Sequence, residues 1–159
     1  MRTRRPLNKD EVRWIAEAYE EIGVLSIEGY RTTDETLQKA VKLIDFWLED
    51  TDFLVLLGVE SGRRGAVPIA MVICHVRTSP LDRRPEGMVD ALYVVPRRRR
   101  QGVARLLEAQ ATRWALERGA ERMRTFVACW NSPMLALCER LGYSHAYAEL
   151  VKTDMSPQE

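Results

Sequence analysis

The chain has 159 residues, with 24 Lys or Arg against 23 Asp or Glu and a net charge of +1. That length suits one domain around one core. The balanced charge argues against a general nucleic-acid or membrane-surface binder, and no apolar run is long enough to span a bilayer. Cys74, Cys129 and Cys138 are odd in number and lack metal-ligand spacing, so reduced thiols in a cytoplasmic setting are expected. With only His75 and His145, a zinc site or a Ser–His–Asp triad has little to draw on, and no metal is expected. The basic start Met1-Arg2-Thr3-Arg4-Arg5 has no apolar stretch behind it and is not a secretory signal.

Residues 9–22 predict an amphipathic helix, with Val12, Ile15, Ala16, Tyr19 and Ile22 on one face, Asn8 and Glu11 as its cap and Gly23 as its end. A loop over 23–32 carries Glu28 and Tyr30. A second helix is expected over 33–49, capped by Thr32 and Glu35, with a stripe of Leu37, Ala40, Val41, Ile44 and Leu48. The apolar runs Phe53–Val59 and Val67–Val76 flank the turn signal Ser61-Gly62-Arg63-Arg64-Gly65 and predict an antiparallel hairpin. Polar residues 79–87, with two prolines, read as a loop before a third strand, Met88–Val95.

A helix follows over 101–118, marked by Val103, Leu106, Leu107, Ala111, Trp114 and Ala115 and ended by Gly119. A strand is expected over 123–128. A short helix over 133–141 has Ser132 as cap, Pro133 in its first turn and an apolar face of Met134, Leu137, Cys138 and Leu141. A last strand over 143–151 completes a single domain of 1–152, and 153–159 form a frayed tail. The order predicts an α/β (α+β) protein with a mixed, mostly antiparallel central sheet and helices on its faces. Trp14, Trp47 and Trp114 fall on or beside helix stripes and read as core; Trp130 is a candidate cleft residue.

The strand–turn–helix from Leu92 to Ala104 carries the chemistry. A helix start presents N–H groups with no intrahelical partner, and its dipole adds partial positive charge. Gly102 lets an anion approach the backbone, and Ala104 is nearly as small. The turn is therefore a seat for a phosphate or pyrophosphate. The alternative is a solvated basic turn. Of Arg97 to Arg100, two are expected to face solvent and one could meet a phosphate of the ligand.

Two stretches resemble the GNAT superfamily of acyl-CoA-dependent N-acetyltransferases. One is Val94-x-Pro96-x-x-Arg99-x-x-Gly102-x-Ala104, similar to the family's acyl-CoA signature. The other is Asn131-Ser-Pro-Met-Leu-Ala-Leu-Cys138-Glu-Arg-Leu-Gly-Tyr143, similar to its second motif. The resemblance implies an N-acetyltransferase with a GNAT-like fold, using acetyl-CoA and a small-molecule or peptide amine, without nucleic acid or membrane. It also allows a homodimer. It implies that backbone N–H groups of Arg99, Arg100, Gln101, Gly102, Val103 and Ala104 hold the pyrophosphate. Leu92, Tyr93 and Val94 would pair with the pantetheine arm, Leu92 N–H would face the oxyanion, and Asn131 would hydrogen-bond the arm.

Direct attack on a thioester, through a tetrahedral intermediate, needs a neutral amine and hence a base. Asp90 is the candidate, as the only charge between Met88 and Val95. A carboxylate among apolar strand residues keeps its proton more tightly unless paired, which suits a base. The other reading puts Asp90 at a solvated strand end or on an arginine. Glu28 is a weaker candidate. Cys138 stands where family members often carry a tyrosine acid; it either donates a proton or packs in the core, leaving water or Tyr143 to protonate the thiolate. His75 and His145 read as packed or surface residues. A non-catalytic acyl-CoA-binding protein of the same fold is the alternative function.

Overall fold

A computed structural model of the chain describes residues 1–63 and 65–146. In chain order the elements are β1 (Arg2–Arg4), α1 (Lys9–Ser26), α2 (Asp34–Glu49), β2 (Phe53–Gly62), β3 (Gly65–Thr78), β4 (Pro85–Val94), α3 (Val103–Leu116), β5 (Met123–Thr125) and α4 (Ser132–Arg140). The described strands form one sheet in the order β1-β2-β3-β4-β5. β1 to β4 are antiparallel neighbours and β5 lies parallel to β4, so the mixed, mostly antiparallel sheet is as expected.

Strand alternation sorts the apolar residues onto two faces. On one face Val55, Leu57, Met71, Ile73, Ala91 and Tyr93 pack against Val12, Ile15 and Ala16 of α1 and Ile44 and Trp47 of α2. On the other Ala70, Val72, Cys74, Val89 and Val94 meet Leu107 and Ala111 of α3. Of the three core tryptophans, Trp14 stands edge-on to Tyr93 at 6.1 Å and Trp47 stacks on Phe53 at 5.3 Å. Trp114 is partly buried against the α3-side core.

Several boundaries move for identifiable reasons. α1 runs through Gly23 to Ser26, because that glycine serves a close approach rather than a stop: a Cβ there would lie 2.9 Å from the Tyr30 ring. The α2 cap is Thr33 with Thr36, one position beyond the expected pair. α3 is shorter than 101–118, and α4 is capped by Asn131, so that Ser132 is its first residue. β1 is absent from the sequence reading; its arginines hid three residues that pair with Leu57 to Val59. β4 begins at Pro85, inside the expected loop. β5 stops at Thr125 rather than 128. Residues 143–146 are not strand, and the rest of the strand expected over 143–151, with the tail 153–159, lies outside the described residues.

The early start of β4 depends on Glu86, which is fully buried. Its Oε1 accepts from Arg77 Nε of β3 at 3.0 Å; its Oε2 accepts from Arg122 Nη2 at 2.8 Å and Arg124 Nη1 at 3.4 Å. Arg122 also grips Asp82 through both terminal nitrogens, at 2.6 and 2.8 Å. This cluster joins three strands at the end where β4 and β5 still pair, Gly87 to Val89 against Met123 to Thr125. Beyond Val89 no described strand pairs with β4 on that side.

Candidate active site

Two features of β4 open the sheet. The first is a β-bulge: Ile73 pairs with Ala91 and Cys74 with Val89, leaving Asp90 as the extra residue. Bulges re-aim side chains, and here the Asp90 carboxylate meets His75 of β3, with Oδ2 2.6 Å from Nδ1. The second is the free edge. Val95 N–H donates to the Ile69 carbonyl at 2.9 Å, so Tyr93 and Ala91 also turn their backbone polar groups to β3. Alternation then directs those of Leu92 and Val94 to the side that β5 has left.

The chain leaves β4 through a 3-10 turn, Pro96–Arg98, and enters α3 with Arg100 at φ +63° and Gly102 at φ +79°. Nothing lies within 4 Å of a Cβ built at Gly102, and no side chain caps α3. Arg99 N–H donates to the Pro96 carbonyl at 3.2 Å. Of the next six N–H groups, Arg100 to Arg105, none makes a close, well-aligned hydrogen bond to a described residue. Successive donors of this kind at a helix start, with left-handed residues among them, can seat an anion. Of the expected row Arg99 to Ala104, the Arg99 N–H is thus spent within the turn.

The four arginines divide by partner. Arg97 and Arg98 bind Glu60 at the end of β2 and brace the turn. Arg99 folds back: its Nε donates to the Val94 carbonyl at 2.9 Å, its guanidinium lies over Tyr93, and it reaches Glu21 at 3.7 Å. Tyr93 also donates its hydroxyl to Glu21 at 2.7 Å. The exposed Arg100 side chain has no partner among the described residues.

On the α1 face of β4, Asp90 faces an aromatic wall. Its partner His75 stacks on Phe53 at 4.9 Å, Phe53 on Trp47, and Trp47 meets Tyr19 edge-on at 5.6 Å. Burial raises the Tyr19 hydroxyl above its ordinary range, and the charge of Asp90 adds to it. Nearby, Glu20 is buried and accepts from Tyr30 at 2.8 Å and Thr36 at 2.5 Å. The indole N–H of Trp130, itself exposed, donates to the Leu25 carbonyl at 3.1 Å and joins the segment after β5 to the end of α1. Glu28 is exposed in the loop, without a partner among the described residues.

The other face holds the thiols. Cys138 is buried, and burial followed by the charge of Glu108 pushes its thiol up. Cys74 rises to about 12, from burial first and then from Asp90 and Glu108. Tyr143 donates its hydroxyl to Glu108 at 3.0 Å and is held far above its usual range, by burial first and then by that carboxylate. Asn131 spends its side-chain oxygen on Met134 N–H at 3.3 Å, as the α4 cap, which leaves its amide N–H₂ for a ligand.

Sequence reasoning singled out the turn and Asp90 as candidates but missed His75 as the partner of Asp90. The available signal was its place on the same apolar run as Met71 and Ile73, two residues apart on one face of a strand.

An open strand edge leading into an anion seat at a helix start is the arrangement of an acyl-CoA acyltransferase fold. The family model for the acetyltransferase (GNAT) family matches residues 11–143, and the chain belongs to that family. Among solved structures, it resembles the aminoglycoside 6'-N-acetyltransferase AAC(6')-IG from Acinetobacter haemolyticus, with TM-score 0.74 and 20% identity over 99% of this chain and 100% of that one. It also resembles AAC(6')-Iy in complex with the bisubstrate analog CoA-S-monomethyl-acetylneamine, with TM-score 0.70 and 18% identity over 98% and 100%. A putative acetyl transferase from Pyrococcus furiosus gives TM-score 0.76 at 18% identity over 96% and 100%. At these identities the likeness is one of fold. No curated protein matches the sequence.

Proposed function

We propose that this protein is an N-acetyltransferase that moves an acetyl group from acetyl-CoA to a primary amine by direct attack. The observation that carries the reading is the row of N–H groups from Arg100 to Arg105, without a close partner among the described residues, set at the end of an open β4 edge with a carboxylate, Asp90, on the same strand.

The residues fit the donor. The N–H row and Gly102 would seat a pyrophosphate. Leu92 and the N–H of Val94, whose carbonyl Arg99 holds, would add an extended ligand to the strand edge, and the Asn131 amide would reach its polar groups. Bound acetyl-CoA supplies the thioester carbon that an amine attacks. Leu92 N–H, on the open edge, would donate to the oxygen that gains charge. Asp90 would take the ammonium proton, since an alkylamine with a pKa near about 10.4 arrives protonated; as the amide forms the C–S bond would break, and the CoA thiolate would leave and take its proton from solvent. The buried, upward-shifted thiols of Cys74 and Cys138 favour direct attack over an acyl-enzyme. The acceptor is a small molecule or a peptide amine. Aminoglycosides head the list to try, because two structural neighbours act under that name.

Gly102→Glu is expected to weaken acetyl-CoA binding by roughly a hundredfold or more, measured by calorimetry. The side chain would fill the space the anion needs, and its charge would repel it, removing charge-assisted hydrogen bonds of about 1.5–3 kcal/mol each. Its left-handed backbone adds about 1 kcal/mol of strain to the fold, which a thermal melt separates from lost binding. Equal binding by the variant would move the seat elsewhere, and no binding by the wild type would overturn the enzyme reading.

A further inference from the structure

We infer that His75 is a positioning residue for Asp90, holding the carboxylate on the bulge so that one oxygen is fixed by the imidazole and the other is presented to the acceptor amine. The inference rests on the reading of Asp90 as the base and extends it to a residue on a different strand.

The geometry supports it in three ways. An ionised carboxylate only accepts, so the 2.6 Å contact places the imidazole proton on Nδ1, pointing at Oδ2. No other described residue bonds to either Asp90 oxygen, so Oδ1 is left for a ligand. The ring plane is itself set, because His75 stacks on Phe53 with an interplanar angle of 27° and Phe53 on Trp47 at 16°.

The bulge explains why a second strand is needed. An extra residue in β4 has no cross-strand neighbour to lock its side chain. Left alone, Asp90 would sample several rotamers, and a base misplaced by about 1 Å loses up to about a hundredfold in rate. Asp90 lies two residues before Leu92, roughly 7 Å along the strand. A carboxylate held there lies within one side chain's reach of an amine attacking near the Leu92 N–H. His75 and Asp90 are both only partly exposed, with side chains 17% and 22% accessible, so bulk water competes weakly for the pair.

The test separates hydrogen bonding from mere packing. Asparagine places an N–H where Nδ1 stands; glutamine places it one carbon farther out; leucine has none. All three lose the stacking on Phe53. Turnover is measured with acetyl-CoA and whichever of neamine, spermidine or glucosamine the wild type acetylates fastest. His75→Asn is expected to keep kcat within about fivefold of wild type, while His75→Gln and His75→Leu fall by about ten- to a hundredfold, with acetyl-CoA affinity unchanged in all. Melting curves monitor folding, and rescue by asparagine over glutamine is the readout that a packing role would not produce. If all three variants match wild type, or asparagine falls as far as leucine, the inference is wrong. If Asp90→Asn is fully active, or no amine is acetylated, the underlying base reading fails instead, and this one with it.

Discussion

Asp90→Asn is expected to lower kcat at neutral pH by about a hundredfold or more, the usual scale for losing a general base, with acetyl-CoA affinity unchanged. Asparagine keeps the volume and a carbonyl oxygen for His75 but cannot accept the amine proton. The deficit should shrink as pH rises toward the amine's own range near about 10, where the substrate sheds its proton unaided. Measuring kcat from pH 7 to about 10 with one amine checks this. A deficit that is the same at every pH would mean that the substitution damaged geometry rather than proton transfer, and no deficit would remove Asp90 from the mechanism.

The second large effect concerns stability. Glu86→Gln leaves Arg77, Arg122 and Arg124 around a neutral amide in a fully buried position. Removing one partner of a buried ionic cluster costs about 3 kcal/mol or more, which for a chain of this size lowers Tm by roughly 6–12 °C. The pH dependence follows from the direction of the shift. Burial alone would raise the Glu86 carboxyl, but the hydrogen bonds from Arg122 and Arg77 and the charge of Arg124 outweigh it and hold it below the usual range. The Arg122 hydrogen bond also holds Asp82 far below that range. A carboxyl with a depressed folded-state pKa stabilises fully above its unfolded value, near about 4. That contribution is lost as pH falls through the folded-state value. Tm should therefore be level above about pH 5 and fall below it, and the fall should be shallower in Glu86→Gln. An unchanged Tm in the variant would mean that the arginines are adequately solvated without Glu86.

The same carboxylate shows where the sequence was legible and where it was not. The α3 start could be read because its determinants are adjacent: a strand, a glycine and a helix within about a dozen residues. Pro85-Glu86-Gly87 reads as a loop because a charge in a strand is implausible until its partners are known, and these lie 9, 36 and 38 residues away. The Asp90–His75 pair was hidden in another way. Regular alternation says nothing of a bulge, so the direction of Asp90 could not be deduced, and an arginine was the natural partner to expect. Gly23 misled because glycine ends helices and also admits neighbours; only the Tyr30 ring, 2.9 Å from the missing Cβ, tells which role it plays. The shifted cap at Thr33 reflects two threonines in succession, either of which could serve.

Arg99 and Tyr93 both hold Glu21, near the end of α1, and Arg99 belongs to the turn that begins the N–H row. The helix that leads into the Glu28 and Tyr30 loop and the anion seat thus share one strut. On the proposed function, linkage requires reciprocity: whatever factor a donor bound at the turn applies to acceptor affinity, an acceptor must apply to the donor. The strut also limits that factor. Glu21 and Arg99 are 46% and 48% exposed, and a pair so open to water is worth at most about 1 kcal/mol. Coupling through this route between a ligand at the turn and one beside the end of α1 should therefore amount to no more than about fivefold. Titrations in both orders of addition, in wild type and in Glu21→Gln, would show it; a larger factor surviving in the variant would have to travel through the sheet itself.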